Sequence, residues 1–126
     1  MFLFENETVD EILCEHVLEH IPDTLIAMRE FHRVLKPSGL LKILSPHALN
    51  HNLFSTPDHY KGFTYTTFNQ FWQDSHINYP KFTCQKRQLI LRNKRWQFLA
   101  DRYPIKTESL YWLFEPSEIY VELVRI

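Results

Sequence analysis

The sequence predicts an α/β fold, because two short apolar strands lie on either side of an amphipathic helix. Residues 9–14 read Val-Asp-Glu-Ile-Leu-Cys and end in an apolar run, which is typical of a buried strand. Residues 40–44 read Leu-Leu-Lys-Ile-Leu and have the same character. A strand, a helix and a second strand in this order form a βαβ unit, whose strands are parallel and whose crossover is right-handed.

The helix between these strands begins near Pro22, with Asp23 as a candidate N-cap. Leu25, Met28 and Leu35 recur with helical spacing, which predicts a helix of about four turns with one apolar face. The segment 36–39, Lys-Pro-Ser-Gly, then predicts the end of the helix and a turn into the second strand.

Further elements are predicted beyond residue 65. They are a short helix carrying Phe68, Phe71 and Trp72 and capped by Thr66 or Thr67, a strand at 82–91, a helix at 95–102 with Trp96 and Leu99 facing inward, a short helix or turn at 109–114, and a final strand at 119–124.

The composition limits the classes of function. The chain has 126 residues, of which 44% are hydrophobic and 23% charged, as in an ordinary globular domain. Lys and Arg number 14 against 15 Asp and Glu, which argues against a nucleic-acid partner held by a basic surface, and the lack of a polybasic run argues against an anionic-membrane anchor. The only glycines are Gly39 and Gly62, so no Gly-rich phosphate-binding loop can be written.

Cellular location is predicted from the amino terminus and the cysteines. The first residues lack a basic region, and their apolar stretch is too short for a signal peptide. No run reaches the roughly 18 apolar residues that a membrane span needs. Cys14 and Cys84 lie far apart in apolar stretches, which favours reduced thiols. We therefore expect a cytoplasmic protein.

Two groups of histidines suggest metal binding, and neither is sufficient by sequence alone. His16-x-x-Glu19-His20 matches the inverted zinc pattern H-x-x-E-H, but Pro22 leaves little helix to hold the motif and no third ligand is evident. The long segment 45–65 contains His47, His51 and His59, although loop histidines are more often surface or hydrogen-bonded groups. We therefore expect no metal site.

The same long segment is the best place for other chemistry, because a loop of this length in a compact domain is usually functional or disordered, and its aromatic residues argue against disorder. His47 and His59 are the candidate catalytic groups, since imidazole titrates near neutral pH. The aromatic residues Phe54, Tyr60, Phe63 and Tyr65 flank the loop and could form the wall of a ligand cleft.

A long ordered pattern then resembles one family. It consists of residues 9–23, Val-Asp-Glu-Ile-Leu-Cys-Glu-His-Val-Leu-Glu-His-Ile-Pro-Asp, and residues 28–41, Met-Arg-Glu-Phe-His-Arg-Val-Leu-Lys-Pro-Ser-Gly-Leu-Leu. The pattern resembles class I S-adenosylmethionine-dependent methyltransferases, in particular the methyltransferase type 11 group. Ser38 stands where that group usually has the first Gly of a Lys-Pro-Gly-Gly turn, and residues 45–64 are also similar to members of the group.

The resemblance implies the C-terminal half of a Rossmann-like methyltransferase fold, as a single domain over 1–126. The family sheet has seven strands, and this chain would supply the fourth at 8–14, the fifth at 40–44, the sixth at about 82–91 and the seventh at about 118–125. The expected sheet is therefore mixed, with about four strands flanked by helices: two parallel strands followed by an antiparallel hairpin. The Gly-rich loop after the first strand and the acidic residue after the second are missing.

The resemblance also implies a cofactor and a reaction. S-adenosylmethionine would approach Cys14, Glu15 and His16, and the acceptor site would include His47 and, less directly, His59 and Tyr65. The acceptor would be a small molecule, with a polar molecule, a glycan or a quinone all open. Because the Gly-rich half is missing, we expect a truncated or split homologue with weak or no cofactor binding on its own. The alternative is a non-catalytic interaction module that kept the half-fold.

The half-fold predicts a partner. In the family the fourth strand pairs with the first, which is missing here, so the edge of residues 8–14 would be bare and apolar. We expect that edge to be covered by a second copy in a homodimer, by a chain carrying the N-terminal half, or by residues 1–8 folding back, with the homodimer as the first expectation.

Overall fold

A four-stranded mixed sheet forms the centre of the fold in the computed structural model, which describes residues 3–73 and 78–126. Its strands are β1 (Val9–Glu15), β2 (Leu35–Pro46), β3 (Phe82–Leu91) and β4 (Pro116–Arg125). The strand order is β1-β2-β4-β3. β1 is parallel to β2, and β4 is antiparallel to both β2 and β3. The predicted arrangement of two parallel strands and an antiparallel hairpin is confirmed.

The helix of the βαβ unit is α1 (Thr24–Val34), and the predicted cap is confirmed. Oδ1 of Asp23 accepts hydrogen bonds from the backbone N–H groups of Leu25 and Ile26 at 3.0 and 3.2 Å. The helix has 11 residues, about three turns rather than the predicted four. It ends early because Leu35 already pairs with Val9 of β1.

The predicted turn at 36–39 is a large bulge at the start of β2. Val9 pairs with Leu35 and Glu11 pairs with Leu40, so residues 36–39 lie opposite Asp10 alone. Ser38 has φ 68°, a left-handed conformation. Gly39 is buried, and a Cβ placed on it would lie 2.8 Å from the Lys36 carbonyl oxygen. The bulge therefore sets the register in which β2 pairs with β1.

One apolar core lies against the central strands. Leu41 and Ile43 of β2 and Leu123 of β4 are fully buried, and Met28 packs on them from α1. The aromatic residues Phe63, Phe68, Phe71 and Phe82 complete this cluster. The predicted helix around residue 68 is a 3-10 turn over Thr67–Phe71, and the side chain of Thr66 makes no capping hydrogen bond.

Three short helices pack near the end of β3 and the start of β4. They are α2 (Gln97–Arg102), α3 (Pro104–Ser109) and α4 (Tyr111–Phe114). Ala100 joins Leu89, Leu91 and Ile119 in a second buried cluster. The prediction that Trp96 faces inward is wrong, because 41% of its surface is exposed. The helix begins only at Gln97, so Trp96 precedes it.

One edge of the sheet is formed by β1, which pairs only with β2 among the described strands, and the other edge is formed by β3. Leu13 of this strand is 62% exposed. The preceding residues follow the end of α1 instead, where the N–H groups of Glu7 and Thr8 donate to the carbonyl oxygens of Arg33 and Val34. None of the helices within residues 3–73 and 78–126 combines the length and apolar character that crossing a bilayer requires.

Candidate functional site

The carboxyl ends of β1 and β2 lie side by side, because the two strands are parallel with Glu15 opposite Leu44. The loops that follow these strands, 16–23 and 47–66, therefore leave the sheet at the same end, where β1 and β2 terminate. Ligands of open α/β sheets bind at such an end. Every residue that the sequence proposed for cofactor or acceptor lies at the end of β1 or in the loop after β2.

The residues proposed for the cofactor end of the site have different environments. Cys14 is buried in the core, and this burial, with the nearby charge of Glu19, raises the pKa of its thiol to about 11. Glu15 is exposed, and His16 is half exposed with φ 55°. Nε2 of His16 lies 3.0 Å from Oε2 of Glu118. Of these three residues, only Glu15 and His16 have exposed side chains.

His47 is fully buried and both of its ring nitrogens have partners. Nδ1 accepts a hydrogen bond from the Leu49 N–H at 2.9 Å, so the ring proton is on Nε2, which donates to Oε2 of Glu108 at 2.7 Å. In this arrangement neither nitrogen is open to an acceptor molecule. The ring instead ties the end of β2 to α3.

Glu108 also holds Tyr65. The Tyr65 N–H donates to Oε2 of Glu108 at 2.7 Å, and the Tyr65 ring stacks under the Arg87 guanidinium, whose central carbon lies 3.9 Å from the ring centroid. Burial raises the pKa of the Glu108 carboxyl, but hydrogen bonds from His47 and from the Tyr65 N–H outweigh it, and the pKa is lowered overall. His47 and Tyr65 are therefore brought together by a residue that no sequence signal identified.

His59 belongs to a different group. Its Nδ1 makes a short hydrogen bond with the Leu53 carbonyl oxygen, and its ring meets the edge of the His20 ring with the centroids 4.6 Å apart. Glu19 lies beside both rings and is 1% exposed. One possible ligand atom from each of Glu19, His20 and His59 lies within 4.8 Å of the others, so these residues could hold a metal ion. The sequence offered Glu19 and His20 in one motif and His59 in another.

A cleft of about 280 Å³ opens between the loop after β2 and the start of β4. Its lining combines polar and aromatic side chains, including Asn50, His51, Arg92 and Trp112. Nε2 of His51 lies 2.8 Å from a guanidinium nitrogen of Arg92. The aromatic walls proposed from the sequence lie elsewhere: Phe63 is in the core, and Phe54 and Tyr60 are exposed.

Comparison with known proteins agrees with this architecture. Residues 1–43 match the family model described as a methyltransferase domain. No curated protein sequence matches the chain at a significant level. The comparison therefore ties the first third of the chain to methyltransferases in sequence.

Solved structures extend the likeness to the whole fold. An S-adenosylmethionine-dependent methyltransferase from Mesorhizobium loti is 13% identical with a TM-score of 0.64, over 97% of this chain and 64% of its own length. A chain from the Haloferax volcanii complex of a methyltransferase with the Trm112 activator is 12% identical with a TM-score of 0.64, over 99% and 57%. Phosphoethanolamine N-methyltransferase 2 of Haemonchus contortus, in complex with S-adenosyl-L-methionine, is 15% identical with a TM-score of 0.57, over 97% and 34%.

The chain thus spans less than two thirds of the length of these structures. The predicted resemblance to S-adenosylmethionine-dependent methyltransferases is confirmed, in sequence over residues 1–43 and in fold over nearly the whole chain.

Proposed function

We propose that this chain is the carboxyl-terminal part of an S-adenosylmethionine-dependent methyltransferase that acts on a small-molecule acceptor. The observation that carries the proposal is the parallel pairing of β1 with β2 inside a segment that matches a methyltransferase domain. This pairing brings the Glu15–His20 segment and the loop after β2 to one edge of the sheet, where ligands of such sheets bind.

In the proposed reaction, the bond between the sulfonium sulfur and its methyl carbon breaks as a bond to the acceptor forms. The sulfur would keep the electron pair and become a thioether, and the acceptor hydroxyl or amine would release its proton to water. Alignment supplies much of the acceleration of such a transfer. Glu15 and His16 would contact the cofactor with their side chains, and Cys14 with its backbone, since its thiol is buried.

The acceptor side would be held by the loop after β2. His47 and Tyr65 would position that loop through Glu108 and would not exchange protons themselves. Nδ1 of His59 is engaged by the Leu53 carbonyl oxygen, so this residue would help to hold the loop in place. The cleft beside His51 and Trp112 is the proposed place for the acceptor.

Cofactor binding by these 126 residues should be weak, because they contain two glycines and no Gly-rich loop. We propose that a polypeptide carrying the first half of the fold, with that loop, completes the site. Calorimetry should detect weak or no binding of S-adenosylmethionine and S-adenosylhomocysteine by the chain alone and clear binding after that half is added. His16→Ala should weaken the restored binding, whereas His51→Ala should change it little.

The exposed edge strand favours a second candidate, a non-catalytic interaction module. Leu13 of β1 and Val17, two residues beyond the strand, are large apolar residues that stay exposed. The module would bind neither cofactor form even with the first half present, whereas the methyltransferase requires binding. The same calorimetric experiment therefore separates the two candidates.

A further inference from the structure

The carboxyl group of Glu19 is buried without a full set of partners. Its side chain is 1% exposed, and its Oε2 has no hydrogen-bond partner within residues 3–73 and 78–126. The nearest imidazole nitrogens to its other oxygen, Nδ1 of His16 and Nε2 of His20, lie at 3.7 and 3.9 Å, which is longer than a hydrogen bond. Buried carboxylates are normally paired or coordinate a metal ion, because an unsatisfied one is costly.

Two imidazoles beside this carboxyl group are held in the tautomer that metal binding requires. Nδ1 of His20 lies 3.0 Å from Oδ2 of Asp58, so it donates its proton there and Nε2 keeps a free lone pair facing Glu19. Nδ1 of His59 is bonded to the Leu53 carbonyl oxygen, which can only accept, so Nε2 of His59 carries the ring's lone pair as well. Histidine ligands of metals usually donate their second ring N–H to a carboxylate or a backbone carbonyl, as both do here.

The backbone holds the two loops together at this point. The N–H of Tyr60 donates to the carbonyl oxygen of Glu19 at 2.7 Å, which places His59 next to the loop that follows β1. The three ligand atoms lie within 4.8 Å of one another. Ligand atoms around one zinc ion lie roughly 3.3 Å apart. Small side-chain rotations are therefore enough to close the site around an ion.

We propose that Glu19, His20 and His59 bind one divalent first-row transition-metal ion of the zinc type. Two imidazoles and one carboxylate match a zinc site that keeps an open coordination position. The site goes beyond the proposed methyl transfer and does not depend on it. It departs from the sequence expectation of no metal, because His59 joins Glu19 and His20 from the loop after β2, whereas the His16-x-x-Glu19-His20 motif would use His16 and His20 as ligands.

The test is a titration of the chelator-treated chain with Zn²⁺, and with Co²⁺ as a spectroscopic probe. The expected result is uptake of one equivalent with a rise in melting temperature, and a Co²⁺ absorption spectrum of low coordination number. His20→Ala and His59→Ala should each lower the affinity at least tenfold. Asp58→Ala should lower it about 10–100-fold, because Asp58 orients His20. His51→Ala, in the same loop and exposed, is the matched control and should bind as the native chain does.

The proposal is overturned if the native chain takes up no stoichiometric ion, or if His51→Ala weakens binding as much as His20→Ala does. Preference for Mg²⁺ over Zn²⁺ would also contradict it, because imidazole ligands favour the transition metal. His20 is partly exposed, so its variant tests the site even where replacing His59 disturbs the fold. This titration does not measure cofactor binding, so a negative metal result would not contradict the methyltransferase proposal.

Discussion

Nε2 of His47 lies 2.7 Å from Oε2 of Glu108, although 61 positions separate the two residues. The Tyr65 N–H donates to the same oxygen at 2.7 Å. A single carboxylate of α3 therefore fixes the end of β2 and the loop that carries most of the candidate acceptor residues. The position of that loop depends on the charge of Glu108, because both donors bind the ionised form most strongly.

Acid should weaken this link. The hydrogen bonds to Glu108 lower its pKa in the folded chain below the ordinary value of 4.5. The stability that they contribute is therefore fully present above about pH 4.5 and is lost as the pH falls through the lower folded value. Glu108→Gln should cost about 1–2 kcal/mol at pH 7 and should remove this part of the acid sensitivity.

Urea unfolding at several pH values between 3 and 7 measures both effects. Glu5→Gln is the matched control, because Glu5 is exposed and its replacement should leave the pH profile unchanged. An unchanged acid profile in Glu108→Gln would contradict the role assigned to this carboxylate.

The bulge at the start of β2 predicts opposite effects at two neighbouring positions. Ser38 has φ 68°, so Ser38→Gly should relieve left-handed strain and stabilise the chain by about 0.5–1 kcal/mol after the entropy of the unfolded glycine is counted. Gly39→Ala should destabilise it by about 1–3 kcal/mol, because the new methyl group meets the Lys36 carbonyl oxygen and the Leu35 side chain. Thermal or chemical unfolding checks both, and a shift of the same sign in the two variants would contradict this description of the bulge.

The two free thiols should differ in reactivity. Burial raises the pKa of both Cys14 and Cys84, but Cys14 is 3% exposed with a pKa of about 11, whereas Cys84 is half-buried. At pH 8 an alkylating reagent should modify Cys84 first and Cys14 only as the chain opens, because the thiolate is the reactive form. Cys84→Ser isolates the Cys14 reaction for mass spectrometry, and rapid alkylation of the folded variant would show that Cys14 is not protected.

The exposed edge of β1 should control self-association. If two copies pair through this strand, Leu13→Lys places a charge in the contact and should shift the chain to the monomer in sedimentation velocity. Leu49→Lys replaces another exposed leucine outside the strand and should leave the association unchanged. A monomeric native chain, or equal effects of the two variants, would contradict a homodimer built on this edge.

Local patterns were enough to predict the strands and the cap of α1. Residues 82–91 and the Asp23 cap depend on alternation and on a short-range hydrogen bond, and the structure confirms both. The length of α1 was overestimated because Leu35 has helical spacing but is bound by strand pairing with Val9. Competition of this kind between local spacing and a distant partner is not visible in one sequence.

The candidate site was predictable only in pieces. The histidines at 16, 20, 47 and 59 were recognised from their residue type and from the loop that carries them. Glu108 and Asp58 had no sequence signal, because each acts by contacting a histidine that is brought near by folding. The inward prediction for Trp96 failed for a related reason, since the start of α2 decides which way that side chain points.

The place of β4 between β2 and β3 has a consequence for synthesis in the cell. β4 is made after both of its neighbours, so β2 and β3 leave the ribosome before the strand that lies between them in the sheet is available for pairing. Contacts between segments that are distant in sequence form slowly, and apolar surface stays exposed until they form. Ribosome-associated chaperones should therefore matter more for the yield of this chain than for its stability once made.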